Sequence, residues 1–297
     1  MSHQEIGQTI IDYKRNGDHF GLVSFAIQVI PTLVDPLFKS QILNEQGLAY
    51  LHQQETAKAE ESLLQARDLN PKGENIQFNL GSLYLHSKRY ASAQNCFSAI
   101  KQQNPNHTGS LYNCGLIHFY QEELEEALKC FNRVMELEED FAGAHYHAGE
   151  VYFVKKEYGQ AVACYEKTLK LSEDFVDAQK SSIYCYYNMG EYKKSIEKAH
   201  SLMQLHGPDL RIVKTIGDAH FELGEFNEAI EAYIFMTQIN EESMGHVMFQ
   251  AKKMVLPKIR PNAEKFFREI LQHFPEYEDQ IEELRHTISR ISREEQQ

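Results

Sequence analysis

The sequence predicts an all-α fold, a solenoid of stacked antiparallel helix pairs closed by a terminal helix. Three observations predict it. A cysteine followed by an aromatic recurs as Cys96-Phe97, Cys130-Phe131 and Cys164-Tyr165, at a constant step of 34 residues. The same step links Gly47, Gly81, Gly115, Gly149, Gly217 and Ala251, broken only by Ile183. Inside each period apolar residues fall three and four apart, as at Leu80, Leu83 and Tyr84 and again at Ala93, Phe97 and Ile100. That is helical periodicity twice per unit. A fixed period of this size marks units that bury their apolar faces against neighbouring units.

Taken in chain order, residues 1–39 read as a degenerate N-terminal helical repeat. Its stretch FGLVSFAIQVIPTLV at 20–34 is apolar but interrupted by Ser24, Gln28 and Pro31, and it is too short to span a bilayer. It follows Asp12 and Asp18 and lacks a small-x-small cleavage site, so it reads as a buried helix and not as a signal. Residues 40–275 carry seven units. Twelve residues after each small position comes Ala59, Ala93, Ala127, Ala161, Ser195, Ala229 or Ala263, and four further on Leu63, Phe97, Phe131, Tyr165, Ala199, Tyr233 or Phe267. A small residue lets two helices approach, and the aromatic fills the space beside it. Turn positions carry Tyr90, Leu124, Tyr158, Tyr192 and Phe226, with Thr56 and Arg260 as departures. Pro71, Pro105, Pro208 and Pro275 close units, since proline lacks the amide hydrogen a continuing helix needs. Ile183 and Ala199 make the fifth unit atypical, and Pro257 and Pro261 are expected to shorten or kink the first helix of the seventh. Residues 276–297 place Ile281, Leu284, Ile288 and Ile291 on one stripe, the pattern of a capping helix over an otherwise open apolar face.

These residues resemble the tetratricopeptide repeat (TPR), a 34-residue helix-turn-helix unit that stacks into a right-handed superhelix. The resemblance covers seven in-register units plus the degenerate first one. It implies a non-enzymatic interaction module that binds a protein or peptide segment, with the first helix of each unit lining a concave groove.

Composition narrows the partners. Of 297 residues, 42% are hydrophobic, and 43 acidic against 30 basic side chains leave a net charge of -13. A general grip on nucleic acid needs the opposite sign, and an anionic membrane surface is disfavoured for the same reason. Five cysteines, with no C-x-x-C pair, suit a reducing compartment, so a cytoplasmic location is expected. Cys96, Cys130 and Cys164 fall on successive second helices whose axes lie about 8–10 Å apart, whereas a disulfide needs alpha carbons within about 7 Å. They read as packing residues, as do Cys114 and Cys185.

No nucleotide loop, nucleophile elbow or zinc-protease motif is present. His145 and His147 lie two apart and face different sides of a helix, so they make no metal pair. The sequence therefore predicts no catalytic residue, metal or cofactor. Partner-binding candidates on first helices are Phe78, Tyr112 and Tyr146 in one row and Phe119, Phe153, Tyr187 and Phe221 in another. These aromatics serve either as apolar anchors or as inter-repeat packing. Asn79 and Asn113 could pair with a peptide backbone, although His147, Ser181, Thr215 and Phe249 break that row. Lys180, Arg211, Lys214 and Lys252 gather cations in units five to seven, which points to an acidic or C-terminal segment unless Asp218 and Glu222 neutralise them. Met244, Met248 and Met254 suit an adaptable surface or a core finishing on the cap. Two other roles stay open: a specific peptide receptor or secretion-type chaperone, and a structural subunit joined through its convex face, its edges or a homo-oligomer.

Overall fold

The computed structural model describes residues 1–256 and 259–295, so Pro257 lies outside the described residues. Among them every regular element is helical. The N-terminal pair is α1 (His3–Arg15) and α2 (His19–Val29), followed by α3 (Pro36–His52), α4 (Thr56–Leu69), α5 (Glu74–His86), α6 (Tyr90–Gln103), α7 (Thr108–Tyr120), α8 (Leu124–Leu137) and α9 (Ala142–Val154). Then come α10 (Tyr158–Leu171), α11 (Val176–Asn188), α12 (Tyr192–His206), α13 (Leu210–Leu223), α14 (Phe226–Ile239), α15 (Met244–Lys253), α16 (Ala263–His273) and α17 (Glu278–Glu294). The chain forms two compact units, residues 1–151 and 152–297.

Side chains stop and start these helices where the chain turns. Ser2 and Glu5 form a reciprocal capping box on α1, with the Ser2 amide donating to Glu5 at 2.6 Å. Asp18, Asp35 and Asp209 accept from first-turn amides of α2, α3 and α13. Each satisfies donors that the helix itself cannot.

In the N-terminal unit, Ile6, Ile10, Leu22, Val23 and Ala26 of the first pair pack with Ile42 and Ala49 of α3. A second core runs from Ala59 and Leu63 through Leu80, Ala93, Phe97 and Ile100 to Ile117. The glycines of α3, α5 and α7 set the helix spacing. A β-carbon on Gly47 would stand 2.8 Å from Leu63, one on Gly81 2.7 Å from Phe97, and one on Gly115 2.6 Å from Phe131.

In the C-terminal unit the same contact pairs Gly217 with Tyr233, at 2.5 Å. The fifth repeat solves it in reverse. Ile183 takes the small position and Ala199 the aromatic one, and the two pack together fully buried. The volume has crossed the interface, and Ser195 Oγ donates to the Ile183 carbonyl at 3.0 Å. Further on, α15 has only ten residues, and Pro261 sits in a short 3-10 turn ahead of α16 and not within a helix. Met244, Met248 and Met254 are buried with Ala263, Phe266, Phe267 and Ile270, so they belong to the core. Ile281 of α17 is buried in that cluster, with Leu284 and Ile288 packed against it.

The turn between the helices of a pair needs one residue in the left-handed region. Gly190 and Gly224 fill it without strain, at φ 78° and 77°. Gln54, Lys88, Glu122 and Lys156 occupy the equivalent places at φ 57–62°, a conformation that costs a residue with a β-carbon about 1–2 kcal/mol.

Two substitutions test this account in urea denaturation. Gly115→Ala drives a β-carbon into the Phe131 ring and should destabilise the protein by about 1–3 kcal/mol. Glu122→Gly removes the left-handed strain and should stabilise it by about 0.5–1 kcal/mol, the strain relief outweighing the entropy of a glycine.

Candidate functional site

In the N-terminal unit the first helices α3, α5 and α7 lie side by side, and their polar contacts tie them to each other. Asn79 donates from Nδ2 to Asn44 Oδ1 at 2.9 Å, and Asn113 donates from Nδ2 to Ser82 Oγ at 3.2 Å. Each amide commits an N–H to a bridge between neighbouring first helices. Phe78 leans on Gly109, where a β-carbon would meet the ring at 2.9 Å, and Tyr112 leans on Gly143, where a β-carbon would meet its hydroxyl at 3.2 Å and its ring at 3.5 Å. Their rings also contact Phe97 and His107, and Phe131 and Phe141, respectively. This row is thus half-buried packing between units, and the glycines 34 residues apart are its sequence signal. Tyr146 is half-buried with its ring 4.9 Å from His147. His147 Nδ1 lies 2.9 Å from the Gly143 carbonyl and 3.0 Å from the Tyr112 hydroxyl, and burial pushes its pKa down.

Space opens at the carboxyl ends of these helices. Beside α5, a cavity of about 410 Å3 is lined by Leu51, Thr56, Ser82, Leu83, His86 and Ser87. On its other side, one of about 400 Å3 is lined by Leu85, His86, Lys88, Tyr90, Leu116 and Tyr120. The Tyr90 and Tyr120 rings stack at 6.1 Å and 22°, and Phe119, half-buried, adjoins Tyr120 at 5.8 Å. Of these residues the sequence reading singled out Phe119 as a binding candidate, Tyr90 and Thr56 at the turn position, and Leu83 in the helical periodicity.

In the C-terminal unit the second aromatic row alternates with the turn aromatics. Phe153 packs on Tyr158 at 5.5 Å, Tyr187 on Tyr192 at 5.5 Å and Phe221 on Phe226 at 5.4 Å. Phe153 and Tyr187 keep partial exposure. Phe221 does not: it is 4% exposed, enclosed by Phe226 and Phe266, and is therefore core and not a groove anchor.

Ion pairs account for two of the four cations. Lys180 Nζ sits 2.7 Å from Asp209, the carboxylate that also caps α13, and Lys214 Nζ sits 2.6 Å from Asp218. Lys253 lies 3.7 Å from Glu222 and 5.3 Å from the exposed Phe249 ring. Arg211 and Lys252 are exposed and make no ion pair among the described residues. Asp218 does more than neutralise Lys214. Buried at 6% exposure, it accepts on Oδ1 from Tyr233, His246 and Gln250 at 2.8, 2.6 and 2.8 Å, and on Oδ2 from Lys214. Burial alone would raise its pKa, but the hydrogen bonds from His246 and Lys214 and their charges hold it down at about 2. Tyr233 is pushed up by burial and by the Asp218 charge.

None of the five cysteines forms a disulfide. Burial raises the Cys96 and Cys130 thiols and lifts Cys114 and Cys164 to about 11, so these are poor nucleophiles at neutral pH. Among the described residues, no three side chains of metal-binding type converge, and no helix is long and apolar enough to cross a membrane.

Known families cover much of the chain. Residues 50–112 match the model described as tetratricopeptide repeat, and residues 115–156 the one described as TPR repeat. The chain is a tetratricopeptide-repeat protein. Residues 154–236 of this tetratricopeptide chain also match the model for subunit 3 of the anaphase-promoting complex, cyclosome. Solved tetratricopeptide structures share the fold. A tetratricopeptide repeat protein from Parabacteroides merdae superposes with a TM-score of 0.62 at 17% identity, over 80% of this chain and 93% of its own. The pilF protein of Pseudomonas aeruginosa gives 0.62 at 18%, over 72% and 97%. The Cut9-Hcn1 hetero-tetramer of the anaphase-promoting complex gives 0.61 at 12%, over 78% of this chain and 45% of that one. At these identities the likeness is one of fold. No curated protein matches the chain in sequence.

The Asp218 cluster makes a pH prediction. A carboxylate depressed in the folded state adds stability above its ordinary value near 3.8 and loses it as pH falls toward about 2. Asp218→Asn should cost about 3 kcal/mol at pH 7, because it leaves Lys214 and the buried donors without their anion. It should also flatten the loss of stability between pH 4 and 2, read by urea denaturation at stepped pH.

Proposed function

We propose that this tetratricopeptide protein is a non-enzymatic interaction module that holds a partner segment along the exposed face of its first helices. The observation that carries the reading is the pair of cavities flanking α5, each about 400 Å3, open between consecutive first helices, with leucines in the walls of both and tyrosines in one. Such walls accept side chains of another chain, while tetratricopeptide repeats as a family bind proteins. The Cut9-Hcn1 likeness supports a protein as the partner class.

Arg211 and Lys252, exposed and without an ion pair among the described residues, favour an acidic or C-terminal segment on the C-terminal unit; Lys214, 45% exposed beyond its Asp218 contact, adds to the same charge. Five cysteines without a disulfide fit a reducing, cytoplasmic setting.

A random peptide library displayed against the protein tests the reading. Enriched peptides, resynthesised with a photoreactive residue, should label α5, α7, α11 or α13, and acidic sequences should drop out against an Arg211→Glu/Lys252→Glu variant. Labelling confined to second helices, or no enrichment at all, overturns first-helix binding; unchanged enrichment on the variant overturns the acidic preference.

A further inference from the structure

The two cavities beside α5 differ in chemistry, and the difference specifies a ligand. His86 lines both, and the walls facing α5 come from α3 and α4 in one and from α6 and α7 in the other. A helix with its side chains is about 10 Å across. A polyproline-like chain advances about 3.1 Å per residue with three residues per turn, so every third side chain returns to the same face. Side chains three residues apart therefore reach both cavities at once.

The cavity on the α3 side sets hydroxyls of Thr56, Ser82 and Ser87 around Leu51 and Leu83, a socket for a compact aliphatic group. The one on the α7 side presents the near-parallel faces of Tyr90 and Tyr120 with Leu85 and Leu116 behind them, a wall suited to an aromatic ring. Lys88 is the one permanently charged group in either lining, and it makes no ion pair among the described residues. The turn fixes its place on the rim, with its backbone held at φ 57°.

We propose that these sockets take two anchors of a single polyproline-like peptide, an aliphatic residue and an aromatic one three positions along, with an Asp or Glu beside the aromatic meeting Lys88. The proposal rests on the reading that first helices bind partner segments, and it adds spacing and charge to that reading. A chain terminus is a poorer fit, since capture of a terminal carboxylate calls for several convergent N–H donors and this rim supplies a single ammonium. In a protein of net charge -13, that ammonium is what makes an acidic residue welcome at this point.

The probe is a fluorescein-labelled, amidated ten-residue Gly/Ser peptide carrying Leu, then Phe three positions on, then Glu directly after. Anisotropy should show saturable binding, weakened about fivefold by Lys88→Gly and more by Lys88→Glu, and about tenfold by Tyr120→Ala. Glycine suits the left-handed turn and Tyr120 is 53% exposed, so these variants should fold; circular dichroism checks that they do. The proposal is overturned if the peptide does not bind, or if it binds the folded variants as tightly as wild type. Equal binding with Lys in place of Glu, or at a spacing of two, also overturns it. So does tighter binding of a peptide that lacks Glu but ends in a free carboxylate. Library peptides that label first helices while this probe fails would leave the groove reading standing and remove only the sockets.

Discussion

The close approach of the two helices in each pair is the constraint on which the rest of the structure depends. Gly47, Gly81, Gly115 and Gly217 leave no room for a single β-carbon before Leu63, Phe97, Phe131 or Tyr233. That spacing places the outer face of each first helix, and with it every contact between neighbouring units. It also brings the Tyr233 hydroxyl within 2.8 Å of Asp218. A wider pair would strand a buried carboxylate. The fifth unit shows that the constraint is one of summed volume and not of glycine as such, because Ile183 against Ala199 satisfies it equally well.

Electrostatics follows the packing. The chain carries a large negative surplus, yet its first helices hold cations at Lys180 and Lys214, each secured by a carboxylate with a second task. Asp209 caps α13 while it pairs with Lys180. Asp218 gathers Tyr233, His246 and Gln250 while it pairs with Lys214. Arg211, Lys252 and Lys88 are exposed and make no ion pair among the described residues.

The helix pairs were legible in the sequence because a strict 34-residue step repeats each packing relation several times over, so the small, Ala and aromatic series could be read without knowing any partner. The Lys214–Asp218 pair was legible for a local reason, a four-residue helical spacing. What stayed hidden were particular polar and aromatic contacts between repeats. Asn79 meets Asn44 from 35 residues away and Asp218 meets His246 from 28, and neither separation is marked by a pattern. Phe221 shares its row with Phe153 and Tyr187, but Phe266, far along the chain, closes over it. The sockets beside α5 escaped notice because Leu85, Leu116 and Tyr120 look like ordinary repeat positions until the space between their helices is seen.

The left-handed turn residue has a further consequence. Its side chain stands clear of both helices, and the fold asks only for its backbone angle. From Gln54 to Gly224 this single place in the repeat reads neutral, positive, negative, positive, then blank twice. Each of these six repeats thus carries one character that can be rewritten at little cost to the scaffold, an address tag set apart from the core.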